Sequence, residues 1–423
     1  MEIDGVKRYF LIITGIAVCL IFAVFCIYYF NFRPAVCTIH ASEAKDIKAF
    51  LHSNSSAIDL NDVNNFHSLK LLDSDAEKNS IFLSGEAHAI AQNTVMELYL
   101  LQYFNQRQGV RYLLSENGYA QAQLINQYLN TGDESILRKV YDELKGTAAW
   151  NQESYDFCVS LRKYNDSLPQ EKRVMVVGID LEHQVNTAFL YLNTLLPSTT
   201  PPASITQSIE ELRKNYDNPK ARKDALVTKL HDDINRHDED YKKYLGENYF
   251  DFTFEVENIL NGIQYKSSSQ AADFREDCIR NNFVSIFNHL PEGKYYGELG
   301  LEHTYLSDHG GNSSLHNCLA TFLNKEFAPT SGRVVSIAYF YYNTMQMTWG
   351  KTYGQTKYQD YLQDDLLNQI CPGELCLMKF TGSNSPFNNK PFLVEDPKGG
   401  CTVDYYQYGI LIKNSPAAHP YGG

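Results

Sequence analysis

"FLSGEAHAIAQN" (residues 82–93) opens as an apolar run and stops at Gly-Glu-Ala-His. The run, "SIFLSG" over 80–85, has the length and composition of a buried strand. From 89 to 106, Val95, Leu98, Leu101 and Phe104 recur at helical spacing, and Gly109 supplies a stop. "VRYLLSE" (110–116) is a second strand. Strand, helix, strand within 80–116 predicts a β-α-β unit, which needs a parallel pair and a right-handed crossover. The expected fold class is therefore α/β, with a mostly parallel sheet flanked by helices.

Helical patterns follow at 121–129, 134–144 and 155–164. "RVMVVGID" (173–180) is a third strand, continuously apolar as a strand covered on both faces should be. Pro197, Pro201 and Pro202 mark a break. Residues 205–290 are rich in Lys, Glu, Asp and Asn, keep a helical period and contain no strand pattern, so an inserted helical cap subdomain is expected. "KYYGELGLEH" (294–303) returns to strand type, followed by "RVVSIAYFYY" (333–342), "ELCLMKF" (374–380) and "YQYGILIKN" (406–414).

The N-terminus differs. Residues 9–30, "YFLIITGIAVCLIFAVFCIYYF", carry no charge. At 1.5 Å per residue such a run spans a bilayer core of about 30 Å. Tyr9, Tyr28 and Tyr29 sit where interfacial rings are favoured, and Lys7 and Arg8 precede the run. The expectation is a single-pass membrane protein whose body is extracytoplasmic. It has a cytoplasmic tail (1–8), a transmembrane anchor (9–30) and a polar linker (31–78) with one short amphipathic helix near 44–52. The first part of the α/β core (79–204), the helical insertion (205–290) and the second part of the core (291–423) follow.

With 43% hydrophobic residues among 423, the chain can bury a large core. A net charge of -13 with no concentrated basic face argues against nucleic acid as a partner. Lys214, Lys220, Arg222 and Lys223 lie among acids, as on a solvated helix surface. Of nine cysteines, Cys19 and Cys26 fall in the apolar segment. "CPGELC" and "GGC" near the C-terminus can supply one disulfide if the body is external, and no tight Cys-x-x-Cys pair suggests zinc.

Chemistry collects at the strand ends. Glu86 and His88 follow the first strand, Glu116 closes the second, Asp180 with Glu182 and His183 closes the third, and Glu302 with His303 closes the fourth. Carboxyl ends of parallel strands share one rim, where ligands bind, and neighbouring strands are only about 4.8 Å apart. Each residue also has a plainer reading. His88 can cap a turn, Glu86 can accept helix N–H groups, Asp180 can orient a histidine, and Arg111 can face the sheet's far side. His183, His309 and His316 read as loop or surface residues, with His183 the best placed of them for a site. No Gly-x-Ser-x-Gly elbow and no phosphate-cradling loop occurs. Carboxylates with two histidines suit a directly activated water, Glu86 or His88 acting as base. The same residue types could instead hold a divalent metal.

"LSGEAHAIAQNTVMELYLLQYF", "GVRYLLSENGYAQAQLINQYLNTGD", "LRKYN" and "VMVVGIDLEH" together resemble the erythromycin esterase-like proteins, over roughly 80–195 and more loosely 290–415. The resemblance implies hydrolysis of an ester or related acyl bond in a small-molecule substrate, by activated water and without a required cofactor. His88 would be the base, with Glu86 beside it, Glu116 ending the second strand and His303 as the later catalytic histidine. Asp180, His183, Arg111 and Glu302 would be supporting or substrate-contacting residues. Glu86 and His88 stand two apart where that family spaces them by three, and Gln92 or Gln102 stands where an arginine is expected. The shorter Gly-Glu-x-His resembles the ChaN-like haem-uptake proteins and the TraB/Tiki group. The alternatives implied are a haem- or small-ligand-binding module or a metal-dependent peptidase.

Overall fold

The computed structural model describes residues 37–309, 316–358, 364–395 and 397–422. The anchor expected at 9–30 lies outside the described residues, and among those described no helix is long and apolar enough to cross a membrane.

Among the described residues ten strands form: β1 (Ser55–Ala57), β2 (Ile81–Glu86), β3 (Val110–Gly118), β4 (Met175–Asp180), β5 (Lys294–Gly300), β6 (Val334–Tyr342), β7 (Met345–Thr348), β8 (Gly354–Lys357), β9 (Leu375–Lys379) and β10 (Tyr408–Lys413). Eight make one sheet in the order β1-β9-β10-β6-β2-β5-β3-β4, and β7 with β8 forms a separate ribbon. The six strands from β10 to β4 run parallel, while at one edge the reversed β9 pairs antiparallel with both β10 and β1. The fold is α/β with a mostly parallel sheet flanked by helices, as the strand patterns required.

One pairing differs from expectation. β2 and β3 are parallel but not neighbours, because β5 inserts between them and pairs with both. A β-α-β pattern specifies direction, not adjacency. Gly297 makes the fit possible: a Cβ there would lie 2.8 Å from the Leu114 side chain. The insertion thus brings the ends of β2, β5, β3 and β4 side by side on one rim.

The stretch expected as a linker carries the short helix expected near 44–52, and the rest of its described part is structured too. The helix Ala41–Ser53 buries Ile47 and Leu51, β1 extends the sheet beside β9, and Phe66, Leu69 and Leu72 enter the core. Its apolar residues are few and separated by Ser, Asn and Asp, yet they cover an edge of the sheet that would otherwise be open. A disulfide joins Cys371 to Cys376 within "CPGELC". Between Pro202 and Pro291 the chain forms helices and no strand, Thr206–Asn215, Lys223–Arg236, Asp238–Leu245, Tyr249–Tyr265 and Ala271–His289 among them. The last of these packs on β4, so it belongs to the sheet's flank as much as to the insertion.

Candidate active site

The turn after β2 is clamped from two sides. Ala89 adopts a left-handed φ of 64°, a conformation that costs a non-glycine residue free energy unless its surroundings hold it. Its carbonyl accepts the N–H groups of Met347 and Ala418, at 3.0 and 3.1 Å, and Gln346 donates to the His88 carbonyl at 2.8 Å. β7 and the C-terminal segment therefore fix the backbone that carries His88. Asn93, in the first turn of the helix Ala91–Gln108, donates to Glu86 Oε2 and to the Ala87 carbonyl. The Tyr341 hydroxyl accepts the Ala87 N–H and donates to Asn93 Oδ1. Glu86 Oε1 is paired with His88 Nδ1. The charge of Glu86 raises the His88 imidazole to about 9, against the opposing effect of burial.

Glu116 stands at an irregularity in β3, where the register with β4 shifts between Ser115 and Gly118. Such a bulge re-aims a side chain. Its Oε2 accepts the Gly300 N–H at 2.5 Å, and its Oε1 lies 2.8 Å from Arg275 Nη2 and 3.1 Å from His303 Nε2. Burial would raise this carboxyl, but His303, His88 and Arg275 outweigh it and hold it well below the ordinary carboxylate range. Gly300, the last residue of β5, separates the two halves of the site. A Cβ there would be 3.3 Å from both Glu116 Oε2 and His88 Cε1. Asp180 is almost completely buried and meets Arg275 through two guanidinium nitrogens, with His183 Nε2 at 3.6 Å. Burial opposes ionisation of Asp180, but Arg275 and His183 prevail and lower it.

These groups line a cleft of about 480 Å³. It gathers Glu86, His88, Glu116, Asp180 and His183 from three strand ends. His303 is only 5% exposed and sits behind Glu116 rather than on the cleft wall. Glu302 belongs to the tight turn Leu301–Thr304 and does not line the cleft. Arg111 lies at the other end of β3, exposed, away from the rim. That corrects its inclusion with the site: one residue after the start of a strand, its side chain cannot reach the carboxyl end. His316 is exposed, but His309 is buried, not a surface residue; it packs edge-on against Tyr305.

Five site residues escaped the sequence reading. Arg275 and Glu276 stand in "DFRED", one charged helical stretch among several, and no local feature marks them as inward-facing. Asn93 and Glu97 stand on the inward face of the helix after His88, four residues apart. Glu298 did carry a signal, a carboxylate within the apolar strand "KYYGELG". Burial and the charge of Glu86 push Glu97 up to about 8. Burial, with Glu97 and Glu86 nearby, raises Glu298 well above its usual range, and Tyr339 donates to it at 2.7 Å. Among the described residues no three His, Cys, Asp or Glu side chains converge so as to hold a metal ion.

The erythromycin esterase family profile matches residues 106–295. Three solved structures share the fold. A succinoglycan biosynthesis protein aligns over 90% of this chain and 99% of its own, with 14% identity and a TM-score of 0.69. A Bacillus cereus protein aligns over 89% and 99%, with 15% identity and a TM-score of 0.66. A mutant of the erythromycin esterase EreC, in its open conformation, aligns over 87% and 98%, with 14% identity and a TM-score of 0.62. No curated protein sequence matches the chain.

Proposed function

We propose, on the premise that the chain is an erythromycin esterase-like protein, that it hydrolyses an ester or related acyl bond of a small molecule with water activated by His88. One observation carries the reading: His88, paired with Glu86 through Nδ1, and the ionised Glu116 flank Gly300 at the mouth of one cleft. Glu86 holds the imidazole so that Nε2 is the free nitrogen. An unprotonated Nε2 takes a proton from water while Glu116 accepts the second hydrogen bond. The hydroxide adds to the acyl carbon. Collapse of the adduct releases the alcohol, which takes the proton back from His88. Arg275 and His183 are the cleft-facing groups suited to the oxyanion. No cofactor is required by this scheme. Residues 9–30 would tether the enzyme to a membrane with its body on the extracytoplasmic side.

The test is an acyl-ester panel with the purified full chain in detergent. His88→Ala should abolish turnover and Glu86→Gln should reduce it sharply, with unchanged circular dichroism. Full activity in both variants overturns the assignment. Loss of activity on chelation, restored by a divalent ion, would move the protein to metal-dependent chemistry.

A further inference from the structure

Both ring nitrogens of His303 face carboxylates. Nδ1 is 2.7 Å from Glu276 Oε2, and Nε2 is 3.1 Å from Glu116 Oε1. An ionised carboxylate only accepts, and a neutral imidazole has a single N–H. With both carboxyls ionised, a neutral ring would leave one of them against a nitrogen lone pair in a site nearly closed to water, which is costly. The doubly protonated ring satisfies both. Glu276 cannot turn away to relieve the conflict. Its side chain is fully buried, and its other oxygen accepts the Leu319 N–H at 2.5 Å.

We infer that Glu276 is a positioning residue that keeps His303 a fixed imidazolium, which anchors the ionised Glu116 opposite His88 and carries no proton in the reaction. The catalytic consequence rests on the hydrolytic reading above; the protonation state does not. The place of His303 agrees with this role, since it stands behind Glu116 and does not line the cleft. The other groups facing it are few. Arg275 Nη1 lies 3.5 Å from Nε2, and His88 acts from across Gly300. Cys318, at the start of the helix Leu319–Lys325, is a buried thiol whose own ionisation burial suppresses. Glu302 and Tyr305 flank it in the chain. Arg275, and His88 when it is protonated, oppose a charge on His303, but Arg275 stands farther from the ring than the two carboxylates that touch it.

The experiment is nitrogen NMR of the full chain with labelled histidine, the His303 resonances being those missing from His303→Gln. In the wild type both ring nitrogens should stay protonated from about pH 6 to about pH 9. In Glu276→Gln, His303 should titrate within that window. Glu116→Gln should release it in the same way, and gives a second route should the first variant fail to fold. In the ester assay Glu276→Gln should lose about tenfold in kcat between neutral pH and pH 9, with KM little changed, as Glu116 loses its cation; Glu276→Asp should restore the wild-type profile. Titration of wild-type His303 inside the window, or an unaltered His303 in both Gln variants, overturns the inference. If no ester is turned over, the NMR result still decides the state of His303, and only the hydrolytic reading falls.

Discussion

Replacing Glu255 by Gln should stabilise the protein at alkaline pH and leave it unchanged in acid. Glu182, just past β4, and Glu255, in the helix Tyr249–Tyr265, are both fully buried where the insertion meets the sheet. Glu182 Oε1 accepts the Ala120 N–H at 2.8 Å, but its Oε2 and both Glu255 oxygens have no partner. Among the described residues no cation is among the charges acting on either carboxyl. Burial pushes Glu182 up to about 8 from 4.5, and burial with the charge of Glu182 raises Glu255 well above the ordinary carboxylate range. A carboxyl raised in this way must be protonated to fold. It costs nothing below about pH 4.5, costs progressively more as pH rises, and levels off above the folded value. For Glu182, about three units at pH 7.5 and about 1.4 kcal/mol per unit set a cost of about 4 kcal/mol that stays in the variant; Glu255 carries a penalty of the same sign, and that is the one Gln removes. Gln keeps the shape, needs no proton and can donate to Glu182 Oε2. Thermal unfolding should show the variant level with the wild type near pH 5 and a few degrees more stable near pH 8.5. A difference that does not change with pH, or a less stable variant at the alkaline end, would refute the reasoning.

Two further outcomes follow from the cleft. In Glu86→Gln, the residual hydrolysis should reach its plateau at a pH about one to two units below the wild-type limb near 9. Solvent screening sets the lower figure, because the His88 side chain keeps 46% of its exposure; an unmoved limb in the pH-rate profile would separate His88 from Glu86. Arg275→Met should destabilise the fold by about 3–5 kcal/mol in denaturant titration, since Asp180, 1% exposed, loses its main counter-charge. A change under about 1 kcal/mol would show that His183 alone satisfies Asp180.

The parallel core was legible because its strands are unbroken apolar runs, and such runs have few alternatives in water. Phe82, Leu83, Leu113, Leu114, Val176 and Val177 are all buried where the pattern put them. Strand order was not legible, since β5 arrives after an insertion of about ninety residues and adjacency depends on close-packing at Gly297 rather than on periodicity. Before residue 79 the short helix expected near 44–52 is present, whereas β1 and the burial of Leu69 and Leu72 in the stretch expected as linker depend on β9, more than three hundred residues along the chain.

The site divides along the same line. Glu86, His88, Glu116 and Asp180 were visible because a polar residue ending an apolar strand must emerge at the rim. Arg275 and Glu276 were invisible because on a helix of mixed charge only tertiary contact distinguishes an inward residue from a solvated one. Yet Arg275 lowers both Glu116 and Asp180, and Glu276 acts on Glu116 through His303. Arg275 ties Asp180 to Glu116, and Glu276 supplies the second carboxylate that His303 needs. The strand ends alone would leave Glu116 and Asp180 without the guanidinium that bridges them. The helix Ala271–His289 therefore makes the rim chemically coherent, and docking of that helix on β4 is the event that completes the site.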